Sequence, residues 1–330
     1  MEGDFATTES FYSNQHGHIS FHDIILRDTA VFSQFEKAIR YNSTLFKDKI
    51  VLEIGSGTGI FSMMAAKSGA KHVYAWEPSL LNIYSKKTIE DNNLQDKITI
   101  LSQNLEEIKL EEKVDVIFTL CFGYGVIYES YFPQFLKAKE LFLSENGITI
   151  PSKIDLIIAP QKVSQIRRQL AQYSNYWDND VYGYNYKAMN ELVDSSVNID
   201  YLIPTSISSS PHIFKSIVTS EAKTDLSLSG NFEFTIESDQ ELEGFGSWFD
   251  IQFPTSTEPI IVSTAPSCEN LTHFCQLAFH FPKSIDVKKD DVISGSVNIS
   301  YQGDKCSPLI YDISYKINDS DPISQKYILK

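Results

Sequence analysis

Three glycines at alternate positions, Gly55-Ser56-Gly57-Thr58-Gly59, stand between an apolar run, Ile50 to Ile54, and an amphipathic segment. Glycine lets a backbone turn tightly and approach a ligand with no Cβ in the way. A helix opening behind such a loop offers unpaired N–H groups. A second apolar run, His72 to Trp76, ends in Glu77. That acid falls about 20 residues after the loop, where a carboxylate can accept both hydroxyls of a ribose. Together these residues predict a strand–turn–helix–strand unit that holds a nucleoside. A dinucleotide loop calls for G-x-G-x-x-G, but here the third glycine comes one residue early and Ile60 takes its slot. Glu53 also precedes the loop, with only Ile54 between them. The pattern E-x-G-x-G-x-G is typical of S-adenosylmethionine (SAM) sites. SAM is the expected cofactor, with S-adenosylhomocysteine as product. A dinucleotide site and a purely structural loop stay open as alternatives.

These residues need a sheet and helices to position them. Strands are predicted near 50–54, 72–76, 97–101, 114–120 and 146–150, with helices between them, which makes a mainly parallel sheet. Ahead of them, Ser20 to Asn42 carries apolar residues at a helical period, and Ser20 with Asp23 resembles a capping box. Beyond Ile150-Pro151 the pattern alternates, as in Lys153–Ile158 and Phe232–Ile236, and predicts antiparallel strands in a sandwich or barrel. An aromatic-rich stretch, Val163 to Asp194, interrupts this half and reads as a contact arm or as a flap on its own domain.

At 330 residues the chain can build two cores. Its 28 Lys and Arg against 43 Asp and Glu give a net charge of −15, which disfavours nucleic acid and suits a cationic partner. Solubility alone would explain the acidity equally well. No apolar run is long enough to span a membrane. The opening MEGDFATTES lacks the basic and apolar regions of a secretory signal. Cys121, Cys268, Cys275 and Cys306 show neither C-x-x-C pairing nor metal spacing. The expectation is a cytoplasmic protein with free thiols and no metal.

Several motifs in order resemble the protein arginine methyltransferase family over nearly the whole chain. They are VLEIGSGTGIFSMMAAKSGAKHVYAWEPS; His22-x-x-x-Leu26-x-Asp28; Gly123-Tyr124 with Tyr128-Glu129-Ser130; Trp177-x-x-x-Val181-Tyr182-Gly183-Tyr184; Gly246-Ser-Trp248-Phe249-Asp250; and Thr272-His273-Phe274, where Phe replaces a Trp. The resemblance implies an α/β architecture: a Rossmann-like SAM-dependent methyltransferase domain, then a β-barrel domain with a helical dimerisation arm. Segments 1–46, 47–151 and 152–330 would be the cofactor-closing helices, the SAM domain and the barrel, with the arm at about 163–194. A homodimer through the arm is expected. By position, Gly55, Gly57 and Gly59 would line the methionine side of SAM, Glu77 would hold the ribose, and Glu106 the adenine amino group. His22 would lie on the helix that closes over the cofactor.

The resemblance has gaps. The family grips its guanidinium with two glutamates nine residues apart. Glu129 fits the second position, but Leu120 occupies the first and Cys121 replaces the tryptophan that follows. Tyr12 and His16 fall in the family's tyrosine-rich segment, with His16 at a tyrosine position near the substrate. Val31 stands where the family has an arginine for the SAM carboxylate. Asp28 and His273 keep the positions of an Asp–His pair. The candidate catalytic residues are Glu129, His273, Asp28 and His16; Leu120, Cys121 and Tyr12 would line the acceptor pocket. Three functions follow: a methyltransferase with an altered acceptor (a non-arginine or small guanidino or nitrogen compound), an ordinary protein arginine N-methyltransferase, or an inactive paralogue that pairs with an active subunit. Leu120 makes the first the leading expectation. Glu129 could also simply complement the dipole of a following helix, and His16 could be a solvated side chain.

Overall fold

A computed structural model describes residues 17–162, 180–254, 260–267, 269, 271–301 and 308–329. Two helices open this part of the chain, α1 (Ile19–Arg27) and α2 (Thr29–Tyr41), followed by a single turn at Ser43–Phe46. The apolar period predicted over Ser20–Asn42 is therefore broken at Asp28, which caps α2 by accepting the Val31 N–H at 3.0 Å. The expected capping box does not form. His18 is the N-cap of α1, Ser20 lies inside the first turn, and Asp23 pairs with Arg27. The α2 stripe Val31, Phe35, Ala38 and Ile39 is buried.

Strands β1 (Ile50–Ile54), β2 (His72–Trp76), β3 (Ile98–Leu101), β4 (Val114–Thr119) and β5 (Leu143–Ile150) form one parallel sheet in the order β3-β2-β1-β4-β5. Helices α3 (Ile60–Lys67), α4 (Leu81–Asp91) and α5 (Phe132–Phe142) connect them. β1 is apolar on both faces except for Glu53, because it sits between β2 and β4 under helices. The strand order reverses between β1 and β4. In an open α/β sheet that reversal opens a crevice at the carboxyl ends of the strands.

The second half is antiparallel, as the alternation predicted. β6 (Lys153–Lys162), β7 (Asp180–Val181), β8 (Tyr184–Asn185), β9 (Asn198–Asp200), β10 (His212–Val218), β11 (Leu228–Thr235), β12 (Gln240–Phe253), β13 (Ile260–Ser263), β14 (Gln276–Val287), β15 (Val292–Tyr301), β16 (Leu309–Ile317) and β17 (Ile323–Leu329) follow in turn. One sheet runs β10-β6-β12-β14-β9, with β13 added to β12; the other runs β11-β15-β16-β17. They close on an aromatic core in which Phe245 touches Phe232, Phe281 and Tyr315. β6 is buried on both faces despite its alternating sequence, because β10 and β12 flank it. Of the proposed arm, residues 163–179, including Tyr173, Tyr176 and Trp177, lie outside the described residues. Tyr182, Tyr184 and Tyr186 are exposed.

The halves meet through packing and through one buried cation. Phe35 of α2 packs edge-on against Phe253, and Phe122 lies against Phe249. Lys139 of α5 is buried and donates to the carbonyls of Thr219 (3.0 Å), Ser220 (2.9 Å) and Ala222 beyond β10. Replacing Lys139 with Met keeps the length but leaves these carbonyls unpaired. Lys139→Met is expected to destabilise the fold by about 2–4 kcal/mol, read as a lower urea midpoint. An unchanged midpoint would show that water replaces the ammonium.

Candidate active site

The glycine loop opens at the carboxyl end of β1. Gly55, Gly57 and Gly59 all have left-handed φ, +75°, +51° and +79°. Space matters as much as conformation at two of them. A Cβ on Gly55 would stand 2.4 Å from the Tyr131 ring and 3.0 Å from Cβ of Cys121. One on Gly57 would stand 2.5 Å from the His22 ring. His22 of α1 therefore lies directly over the loop. Glu77, at the end of β2, is buried and accepts from the Gly57 N–H (2.7 Å) through one oxygen and from the Ser79 N–H (2.9 Å) through the other. An ionised carboxylate has about four acceptor sites, so Glu77 keeps capacity for hydroxyl donors. Ser56 Oγ is buried in the same loop without a protein partner. A cradle of left-handed glycines, an orphaned hydroxyl and a buried acid fit an adenosyl ligand.

The acceptor side is built by the segment after β4. Thr119 Oγ1 donates to the Ile54 carbonyl (2.9 Å) and accepts from the Cys121 N–H (3.3 Å), which fixes where Leu120 and Cys121 emerge. Leu120 is half-buried against the main apolar core. Burial pushes the Cys121 thiol well above its ordinary range, so it stays neutral. The chain then folds back on itself. Gly123 bridges Val126, Tyr124 bridges Tyr128, and the Tyr131 N–H reaches the Cys121 carbonyl at 3.1 Å. A Cβ on Gly123 would fall 1.8 Å from the Tyr128 carbonyl oxygen, so only glycine closes this loop. Glu129 has a left-handed φ of +54° and precedes α5 by three residues. It stands outside the helix, whose N-cap is Tyr131. Its carboxyl is half-buried and raised by desolvation.

Asp28 and His273 meet across 245 positions of sequence. One Asp28 oxygen accepts from the His273 backbone N–H (2.8 Å) and lies 2.7 Å from Nδ1, while the other accepts from Val31. Burial alone would raise the Asp28 carboxyl. The His273 ring, the two backbone donors and the charge of His273 hold it below its usual value instead. A carboxylate only accepts, so Nδ1 directs a proton at Asp28.

The structure thus brings together Asp28, His273, His22, the three glycines, Glu77, Leu120, Cys121 and Glu129 around the carboxyl ends of β1 and β4. Glu106 lies in the turn Leu105–Glu107 past β3, exposed and ion-paired with Lys137. Tyr12 and His16 lie outside the described residues. The sequence reading passed over Tyr131, which walls Gly55, and a Tyr201–Cys275 pair. The hydrogen bond to Cys275, followed by burial, pushes the Tyr201 phenol up to about 12. Tyr201 also feels Asp28 and Tyr124, and Tyr124 feels Glu129. Cys275 could have been noticed from its place two residues after His273. Tyr201 carried no local signal. Among the described residues, no His, Cys, Asp and Glu cluster is arranged to hold a metal, and no helix is long and apolar enough to cross a membrane.

A family model described as the arginine methyltransferase oligomerization subdomain matches residues 161–320, and one described as ribosomal protein L11 methyltransferase matches 39–122. Protein arginine N-methyltransferase 1 of Saccharomyces cerevisiae is 34% identical over 95% of this chain and 90% of its own length. The chain belongs to the protein arginine methyltransferase family. It is a SAM-dependent methyltransferase with SAM as its cofactor. A chain of the Trypanosoma brucei PRMT1 enzyme–prozyme heterotetrameric complex with AdoHcy superposes with a TM-score of 0.88 at 25% identity, covering 96% of this chain and 99% of that one. Arabidopsis thaliana protein arginine methyltransferase 10 shares the fold, with a TM-score of 0.86 at 24% identity over 96% of this chain and all of that one.

Glu53, buried beneath the loop, accepts from Ser62 Oγ. Burial pushes its carboxyl up to about 8; the Ser62 bond opposes this and the charge of Glu77 adds to it. Between the ordinary value of 4.5 and about 8, the folded chain keeps a proton that the unfolded chain has released. Stability from this group is therefore lost as pH rises through that window and is flat above it. Glu53→Gln removes the titration. The Tm of this variant relative to wild type is expected to rise by about 5 °C between pH 5 and pH 8.5. A pH-independent difference would place the proton elsewhere.

Proposed function

We propose that this chain transfers methyl groups from SAM to the guanidinium of protein arginine. Glu129 carries the acceptor side of this reading. It is a half-buried carboxylate, set by a left-handed turn within the loop that walls the glycine side of the cleft. The curated relatives at about 30% identity are named for arginine, and the altered acceptor expected from Leu120 finds no support among them. SAM, when bound, supplies an electrophilic sulfonium methyl. Gly55, Gly57 and Gly59 would take its methionine side, Glu77 the ribose and Glu106 the adenine amino group, with His22 closing over the loop. Glu129 would accept N–H bonds from the guanidinium and align one nitrogen. A guanidinium holds its proton to above pH ~12, so transfer needs a proton acceptor, and His273, oriented by Asp28, would take that role through Nε2 when the ring is neutral.

Leu120 favours a second reading, in which this subunit supports an active partner. The Trypanosoma structure named above is an enzyme–prozyme assembly, and a leucine adds no countercharge for the guanidinium. For the assembly itself we propose a dimer. Tyr182 is 93% exposed, with Tyr184 and Tyr186 near it in sequence, and the first turn of α4 carries exposed Ile83 and Tyr84, with exposed Leu80 at its N-cap. An arm laid on such a helix face would cover both. The domain limits 1–46, 47–151 and 152–330, the cytoplasmic location and the absence of nucleic acid as partner are part of the same proposal.

Incubation with tritiated SAM and an arginine-rich peptide should label the peptide. Glu129→Gln should cut the rate by about 10²–10³, and Leu120→Glu should raise it at least tenfold. Labelling unaffected by Glu129→Gln would overturn the acceptor assignment; labelling that appears only with Leu120→Glu or a second subunit would establish the supporting role. Joint replacement of Tyr182 and Tyr184 by Ala should give monomers in sedimentation, and an unchanged mass would remove the arm from the interface.

A further inference from the structure

The cleft is assembled from six short segments: 17–31, 53–60, 76–80, 103–107, 119–131 and 271–276. Their contacts are direct. Asp28 holds His273, His22 covers Gly57, Glu77 accepts from Gly57, the Trp76 indole donates to the Gln103 carbonyl (2.8 Å), and Tyr131 walls Gly55. These segments carry Asp23, Asp28, Glu77, Glu106, Glu107 and Glu129, together with Glu53, which burial keeps protonated. Their one Lys or Arg is Arg27. Its side chain is 78% exposed and is held at 2.8 Å by Asp23, one turn back on α1. Lys137 reaches the cleft from α5 but is paired with Glu106. Residues 1–16, wherever they lie, contain no Lys or Arg.

A SAM molecule carries a sulfonium, an ammonium and a carboxylate. Wherever its amino-acid end settles among these segments, its two cationic groups meet acids. Its carboxylate meets acids as well, with backbone N–H groups of the loop as the remaining donors. We propose that this cleft selects its adenosyl ligand by nucleoside shape and positive charge, and that it accepts decarboxylated S-adenosyl compounds at least as well as SAM. This rests on the reading of the cleft as the cofactor site. A site that grips the carboxylate with a guanidinium would lose about ten- to a hundredfold in affinity when the carboxylate is removed. Here the removal deletes a group that the surrounding acids repel.

Titration calorimetry of the full chain at fixed ionic strength, with SAM, decarboxylated SAM and S-adenosylhomocysteine, tests this. Decarboxylated SAM is expected to bind as tightly as SAM or tighter, and S-adenosylhomocysteine, a zwitterion with no net charge, more weakly than either. Decarboxylated SAM binding more than threefold weaker than SAM overturns the inference while leaving the cofactor site intact. No heat with any of the three overturns the cofactor reading and this inference with it. Arg27→Ala, at an exposed position, should leave the SAM dissociation constant within threefold; a larger loss would show that the guanidinium leaves Asp23 for the carboxylate, and would overturn the inference independently.

Discussion

The carboxylate of Asp28 joins the start of α2 to a barrel loop 245 positions away. The Asp28 backbone caps α1, while its carboxylate starts α2 through the Val31 N–H and anchors the loop at His273 through both backbone and ring. All three bonds use a charged acceptor in a buried place, where such bonds are strong and a missing one is costly. The direction of α1 follows from this break, so His22 comes to rest on Gly57. The orientation of the His273 imidazole follows as well. Asp28 adds a polar tie to the Phe35–Phe253 packing that already sets α2 on the barrel.

The nucleotide half depends on backbone rather than on side chains. Gly55 and Gly57 each leave a gap that Tyr131, Cys121 or His22 fills, so ligand space and packing space are shared. Glu77 is pinned by two backbone donors before any ligand arrives, which preorganises it as an acceptor. Glu53 lies beneath as a proton-holding acid, which spares the apolar end of β1 a full second charge beside Glu77.

The strand positions and the glycine loop were legible in the sequence because each rests on local pattern: apolar runs at 50–54 and 72–76, glycines where φ must be positive, and an acid at the strand end. The predicted strands at 97–101, 114–120 and 146–150 match β3, β4 and β5 to within a few residues. What failed was non-local. The apolar period of 20–42 gave no sign that Asp28 would leave the helix to reach a residue 245 positions away. The Ser20 cap lost to a helix that begins one residue earlier. Glu129 was expected beside a following helix, and its left-handed backbone in the loop that closes around Gly123 had no local signal. The Tyr201–Cys275 pair joins β9 to β14, a pairing that sequence alone does not register.

Leu120 is presented by a frame whose other parts fit the proposed arginine reading. Thr119 still ties the end of β4 to β1, Gly123 still closes the loop, and Glu129 still projects from its left-handed turn. The substitution therefore alters the electrostatics of the acceptor site and leaves its backbone geometry in place. A guanidinium offers five N–H donors in a rigid fork, and a single carboxylate can satisfy two of them in parallel. The remaining donors need water or a group from another chain. Leu120, half-buried against the core, offers no acceptor on that side. On the proposed arginine reading, one carboxylate would hold a guanidinium in one orientation while doing less than two would to localise its charge, so the deficit would fall on the transfer step more than on acceptor binding.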